Sequence, residues 1–152
     1  MTATLRILGL DYGTKTIGIA LSDELGLTAQ PLENLKRVSF EKDFNAIASL
    51  VAKHMVSLIV MGMPLNMDGS FGERAKAVEI FIARLKGKVN VPIATWDERL
   101  STVAVNRVLL SADTSRKKRK VAVDKLAAAY ILQGYLDSRR TEKHHLHTIT
   151  LP

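Results

Sequence analysis

Hydrophobic and polar positions alternate between two periods along this chain. The first apolar run, Leu5 to Leu10, is followed after Asp11-Tyr12-Gly13-Thr14-Lys15-Thr16 by a second, Ile17 to Ala20. Two short apolar runs around a glycine-bearing turn predict a β-hairpin. Leu27 to Leu35 predicts a third, shorter strand, with Pro31 pointing to an edge or bulge position. The period then lengthens. Phe40, Phe44, Ile47, Ala48, Val51 and Met55 fall on one helical face, so a helix runs from an N-cap at Ser39 through about Met55. Leu58-Ile59-Val60-Met61 is continuously apolar and fits a strand buried on both sides. It ends in Gly62-Met63-Pro64 and a polar turn at Asn66, Asp68 and Gly69.

Ser70-Phe71-Gly72-Glu73 fits a capping box, starting a helix that carries Val78, Ile82 and Leu85 and stops near Gly87. Val91 to Trp96 is the next strand and runs directly into Asp97-Glu98-Arg99. A further helix, capped by Ser101 or Thr102, carries Ala104, Val105, Val108 and Leu109. The last helix spans about Val121 to Arg139, with Val123, Ala127, Tyr130, Ile131 and Gly134 on one stripe. A hairpin followed by alternating strands and helices gives an α/β fold with a mixed sheet and helices on its faces. The chain reads as one domain, 1–140, with a tail, 141–152, holding His144, His145 and His147. Those histidines are read as part of a partly ordered terminus, and His54 as a cation late in its helix.

Composition narrows the chemistry. With no cysteine, disulfides, thiolate catalysis and Cys-based zinc sites are excluded. No apolar run approaches the roughly 18 residues of a membrane span, and Met1-Thr2-Ala3-Thr4 leads into a strand without a signal-peptide pattern. The expectation is a cytoplasmic protein with no membrane partner, a monomer or weak dimer. The formal net charge is +7, and Arg116-Lys117-Lys118-Arg119-Lys120 is an unbroken basic run. Clustered positive charge favours a polyanion, with nucleic acid the first candidate.

Four carboxylates, at three places along the chain, stand where packing alone would not put them. Asp11 closes the first strand, Asp97 and Glu98 close the strand Val91 to Trp96, and Asp124 opens the last helix. An unpaired carboxylate at a buried strand end costs several kcal/mol. Side chains alternate along a strand, so if the strand extends that far only one of Asp97 and Glu98 can share a site with Asp11, leaving the other to Arg99, a lysine or solvent. That convergence follows if the first and last strands lie side by side. Each acid also has a plain structural reading: an Asx-turn at Asp11, a cap or loop residue at Asp97 or Glu98, a helix-dipole partner at Asp124. Taken together beside a basic loop, they suggest one site for a hard cation, Mg²⁺ or Mn²⁺, one or two ions. Carboxylate-held metals beside a phosphate-binding surface suit phosphodiester hydrolysis.

Four stretches, LGLDYGTKTIGIALSD (Leu8–Asp23), VMGMPLNMDGSFG (Val60–Gly72), WDERLST (Trp96–Thr102) and KVAVDKLAAAYILQGYLD (Lys120–Asp137), resemble the YqgF (RuvX) family of the RNase H-like nuclease superfamily, in that family's order. The resemblance implies a five-stranded mixed sheet of order 3-2-1-4-5, strand 2 antiparallel, flanked by helices. It also implies an acidic metal site at Asp11, Glu98 and Asp124. The implied activity is a nuclease maturing the 5′ end of precursor 16S rRNA, or one resembling Holliday-junction resolvases. Lys15, Arg99, Arg116, Lys117, Lys118, Arg119, Lys120 and Lys125 are the candidate nucleic-acid contacts. One position departs from the family pattern: Thr16 stands where arginine is usual, leaving Lys15 as the cation of the first turn.

Two other classes fit parts of the pattern. Actin-like ATPases and sugar kinases use a similar hairpin on nucleotide phosphates, but they clamp the nucleotide between two such domains, and no Gly-x-x-x-x-Gly-Lys-Ser/Thr loop is present. A non-catalytic RNA-binding assembly factor would keep the fold and the basic loop, yet would gain little from acids near phosphate.

Overall fold

The structure is a computed structural model and describes residues 6–100 and 126–140. The elements are β1 (Ile7–Tyr12), β2 (Thr16–Ser22), β3 (Ala29–Lys36), α1 (Phe40–Lys53), β4 (Leu58–Met63), α2 (Glu73–Leu85) and β5 (Ile93–Asp97). A single 3₁₀ turn follows at Glu98–Leu100, and a helix at 126–140, here α3, covers the sheet. The helix expected after Ser101 or Thr102, residues 121–125 of the last helix, and the tail 141–152 lie outside the described residues. No helix among the described residues is long and apolar enough to cross a membrane.

The five strands form one sheet in the order β3-β2-β1-β4-β5. β2 is antiparallel to β1 and β3, whereas β4 runs parallel to both β1 and β5. This is the expected order, and under it the condition set above for the acids to converge, first and last strands side by side, is not met. β1 and β5 are not side by side; β4 separates them. β1 also reaches Tyr12, so Asp11 lies within the strand, paired with Gly18, and does not close it.

The sheet is covered on both faces. Leu8, Leu10, Ile59 and Met61 point into a layer with Phe44, Ile47, Val78, Phe81 and Leu85 of α1 and α2. Phe81 anchors it, its ring centroid 4.6 Å from that of Tyr12 and 5.1 Å from that of Phe44. Ile7 and Val60 point the other way, into Ala127, Ala128, Ile131, Leu132 and Leu136 of α3. Alanines let α3 come down close. At Gly9 a Cβ would meet the Leu132 Cβ at 2.8 Å and the Ala128 carbonyl at 3.2 Å. The described helix passes from Ala128 over Gly9 to Gln133, whose amide accepts from Ala29 N at 2.9 Å and donates to Leu27 O at 3.1 Å.

Pro31 sits on edge strand β3 at an irregularity: Ile19 pairs with Glu33 but Ala20 with Pro31, leaving Leu32 as the extra residue. Ser39 is the α1 N-cap, accepting from Lys42 N at 3.2 Å. The helix ends two residues earlier than the periodicity indicates. Met55 is 62% exposed at φ 52°, so it leaves the buried face.

The expected capping box at Ser70 does not form. The Ser70 hydroxyl donates to Asp68 Oδ1 at 2.6 Å and accepts from Asn66 Nδ2 at 2.9 Å. Asp68 thus takes both the hydroxyl and, at 2.9 Å, the Ser70 N–H that Glu73 would have reached, and α2 starts after Gly72 with no side-chain cap.

Candidate metal and nucleic-acid site

Asp11 and Glu98 are both 9% exposed. Asp11 has the same strand parity as Ile7 and Gly9, so its carboxylate faces the α3 side. Glu98 arrives from two strands away. β5 ends at Asp97, and the 3₁₀ turn that follows swings Glu98 back over β4. There a Cβ on Gly62 would stand 2.7 Å from Glu98 Oε1 and 2.6 Å from Ile131 Cδ1. Gly62 follows Met61, the β4 partner of Leu10. It is therefore the next step of the ladder beside Asp11, one strand spacing of about 4.8 Å away. The absent side chain at Gly62 leaves the space through which Glu98 reaches the α3 face next to Asp11.

Asp97 goes elsewhere. Its carboxylate accepts from Arg99 Nε at 3.1 Å on each oxygen, from Arg99 Nη2 at 2.7 Å and from Arg99 N at 2.9 Å. Arg99 Nη1 continues to the Met67 carbonyl at 3.2 Å. The hydrogen bonds from Arg99 hold the Asp97 carboxyl below the usual carboxylate range, and Asp97 in turn raises the Arg99 guanidinium. The pair closes a clasp around Glu98, tying the end of β5 to the β4–α2 loop. Within that loop, hydrogen bonds from Ser70 lower the Asp68 carboxyl. Arg99, expected from sequence to contact nucleic acid, has its guanidinium taken up by this clasp. Lys15 is exposed in the β1–β2 turn.

Asp124, Lys125 and the run Arg116, Lys117, Lys118, Arg119, Lys120 lie outside the described residues. Among the described residues there is no group of three His, Cys, Asp or Glu that could hold a metal ion. Oxygen donors at Asp11 and Glu98 suit a hard cation. Gly62 was missed by the sequence reading, which ended its strand at Met61. The available signal was a glycine between two buried methionines, Met61 and Met63, in a run otherwise suited to a central strand.

Residues 5–138 match the RuvX family, described as Holliday junction resolvase. A protein from Desulforamulus reducens named "Putative pre-16S rRNA nuclease" is 55% identical over 134 residues, covering 88% of this chain and 98% of the relative. One of the same name from Halalkalibacterium halodurans is 56% identical over 138 residues, covering 90% and 99%. The fold is also that of T. thermophilus RuvC, solved in complex with Holliday junction substrate: the TM-score is 0.53 at 12% identity, covering 90% of this chain and 96% of that one. By the extent of these matches, the chain belongs to the RuvX family.

Proposed function

We propose that this chain is a nuclease that hydrolyses phosphodiesters with Mg²⁺ or Mn²⁺ and matures the 5′ end of precursor 16S rRNA. The observation that carries the reading is the convergence of Asp11 and Glu98 on one face of the sheet across Gly62. Asp124 is the third ligand in this reading, two residues before the described part of α3. The RNA substrate rests on the names of relatives at 55% and 56% identity.

Divalent ions held by Asp11, Glu98 and Asp124 would supply the charge that activates a water and stabilises the leaving oxygen. The chain's own residues do the rest. Acids alone repel a phosphodiester, so Lys15, the run Arg116 to Lys120 and Lys125 bind the substrate backbone and offset that repulsion. The Asp97–Arg99 clasp keeps Glu98 from turning back toward solvent. Preset ligands need no rearrangement when substrate arrives, which is where such sites gain rate.

The test is cleavage of a precursor 16S rRNA 5′ fragment and of a four-way DNA junction with and without Mn²⁺, alongside Mn²⁺ calorimetry. Asp11→Asn and Glu98→Gln should each cut metal-dependent cleavage by at least about 100-fold and weaken Mn²⁺ binding while leaving the fold intact. Unchanged cleavage in both variants would sink the metal site. Cleavage of the junction alone would make the enzyme a resolvase, and RNA binding without cleavage of either would make it an assembly factor.

A further inference from the structure

The β1–β2 turn, which carries Lys15, is held by a side chain from outside the hairpin. Arg37 follows β3, and its Nη1 donates to the Gly13 carbonyl at 3.1 Å and the Thr14 carbonyl at 3.3 Å. Its guanidinium lies over the Tyr12 ring at 4.5 Å, and its backbone N–H donates to the Lys15 carbonyl at 2.9 Å. Asp43 stands behind it, with Oδ2 3.7 Å from Arg37 Nε; the two side chains are 2% and 22% exposed. Asp43 is itself fixed, because its Oδ1 accepts from Val38 N at 3.1 Å. Four consecutive residues, Tyr12 to Lys15, are thus gripped by one arginine.

Inside the turn, Gly13 N donates to the Thr16 carbonyl at 2.9 Å. A Cβ at Gly13 would meet that same carbonyl oxygen at 2.7 Å, so the glycine serves the turn's own closure.

We infer that Arg37 is a positioning residue for nucleic-acid binding, acting through Lys15 by fixing the β1–β2 turn. This rests on the nuclease reading above. Arg37 packs with Tyr12 on the α1–α2 side of the sheet, whereas Asp11 faces α3, so its influence passes through the turn backbone. A turn free to move would spread Lys15 over many orientations, and each would have to be given up when a phosphate binds. The geometry also demands arginine. A lysine ammonium has donors enough for both carbonyls, as the single Nη1 does, but it has no planar group to stack on the Tyr12 ring and no second nitrogen to face Asp43 at the same time.

The experiment measures binding of a fluorescent precursor 16S rRNA 5′ fragment without divalent metal, for wild type, Arg37→Met, Arg37→Lys, Lys15→Ala and Arg37→Met/Lys15→Ala. Thermal melts and amide hydrogen exchange accompany it. Arg37→Met should weaken binding about fivefold, Arg37→Lys nearly as much, and Lys15→Ala by a similar factor. The double variant should bind no worse than Lys15→Ala alone, because the arginine acts through that lysine. Exchange of the Gly13 amide should rise about tenfold in Arg37→Met while amides of the β1–β4 ladder keep their protection. Full rescue by Arg37→Lys, or additive losses in the double variant, would overturn the proposal. So would an unchanged Gly13 amide. If wild type binds no RNA, the precursor-rRNA reading fails by itself, and the same variants measured on a four-way DNA junction, beside the Gly13 amide, decide whether Arg37 acts through Lys15.

Discussion

Glu98 occupies the space that a side chain on Gly62 would fill: its Oε1 lies 2.7 Å from where that Cβ would stand. This relationship brings an acid from the turn after β5 over β4, the strand next to the one bearing Asp11. Gly62→Ala therefore strikes the site directly. The new methyl meets Glu98 on one side and Ile131 Cδ1, at 2.6 Å, on the other. Both neighbours must give, at a stability cost of about 1–3 kcal/mol. Displacing Glu98 by about 1 Å should lower metal-dependent cleavage about 100-fold. Melting curves and Mn²⁺ calorimetry on the folded variant separate the two effects. Full activity with normal metal binding would show that Glu98 has no fixed place to lose.

The Asp97–Arg99 clasp predicts a pH dependence. Asp97 is held below its ordinary pKa by the Arg99 hydrogen bonds, so its folded value lies below its unfolded one. Such a group contributes stability that is fully present above the unfolded value of about 3.9 and is lost as pH falls through the lower folded value. Melting temperatures of wild type and Asp97→Asn should differ near neutral pH and converge as pH falls below the unfolded value and on through the lower folded one. A difference that stayed constant down to pH 2 would mean the pair contributes by shape and not by charge.

Close approach at Gly9 gives a prediction about α3. Gly9→Ala places a methyl 2.8 Å from the Leu132 Cβ, which should destabilise the fold by about 1–3 kcal/mol. Trimming the neighbour does not help. Leu132→Ala keeps the offending Cβ and removes buried side chain besides, at about 2–5 kcal/mol. The double variant should be less stable than either single one, as read by urea denaturation. Rescue by Leu132→Ala would show that the branched end of the leucine, and not the Cβ, limits the approach.

Much of this fold was legible because its signals are local. Ile7 to Ala20 shows a hairpin by its two apolar runs, Ser39 caps the helix its position announces, and Pro31 marks the edge strand with its irregularity. The acids Asp11 and Glu98 stood out because charge at the end of an apolar run is costly. How they meet was not legible. Alternation separates Asp97 from Glu98 only if the strand reaches that far, whereas β5 ends at Asp97 and a 3₁₀ turn carries Glu98. The expected order put β4 between β1 and β5, but nothing said that a glycine there opens the passage. Ser70 illustrates the same limit at short range. Its spacing to Glu73 fits a cap, yet Asp68, two residues away, takes both its hydroxyl and the N–H that Glu73 would have reached.

The two serines can be set against each other. Ser39→Ala removes the oxygen that accepts from Lys42 N and should cost about 1 kcal/mol, the usual price of a lost N-cap. Ser70 caps nothing, so Ser70→Ala should leave α2 itself intact and loosen only the turn at Asn66 and Asp68. Hydrogen exchange locates each effect: faster exchange in the first turn of α1 for Ser39→Ala, and no change in α2 for Ser70→Ala. Fraying of α2 in the second variant would restore the capping box that the sequence suggests.

In the function proposed, the basic run should make a separable contribution. Phosphate contacts act through counterion release, so affinity falls linearly with the logarithm of salt concentration, by roughly 0.7 per contact for single strands and 0.9 for duplex. Neutralising Lys117, Lys118 and Arg119 together should flatten that slope by about 2 to 3. Turnover at saturating substrate should stay within about twofold of wild type, because these side chains add affinity equally to bound substrate and transition state. Binding measured from low to high salt, beside cleavage at saturation, tests both halves. A large loss of saturated turnover would instead put the loop in contact with the reacting phosphate, where its charge is felt most as the bond breaks.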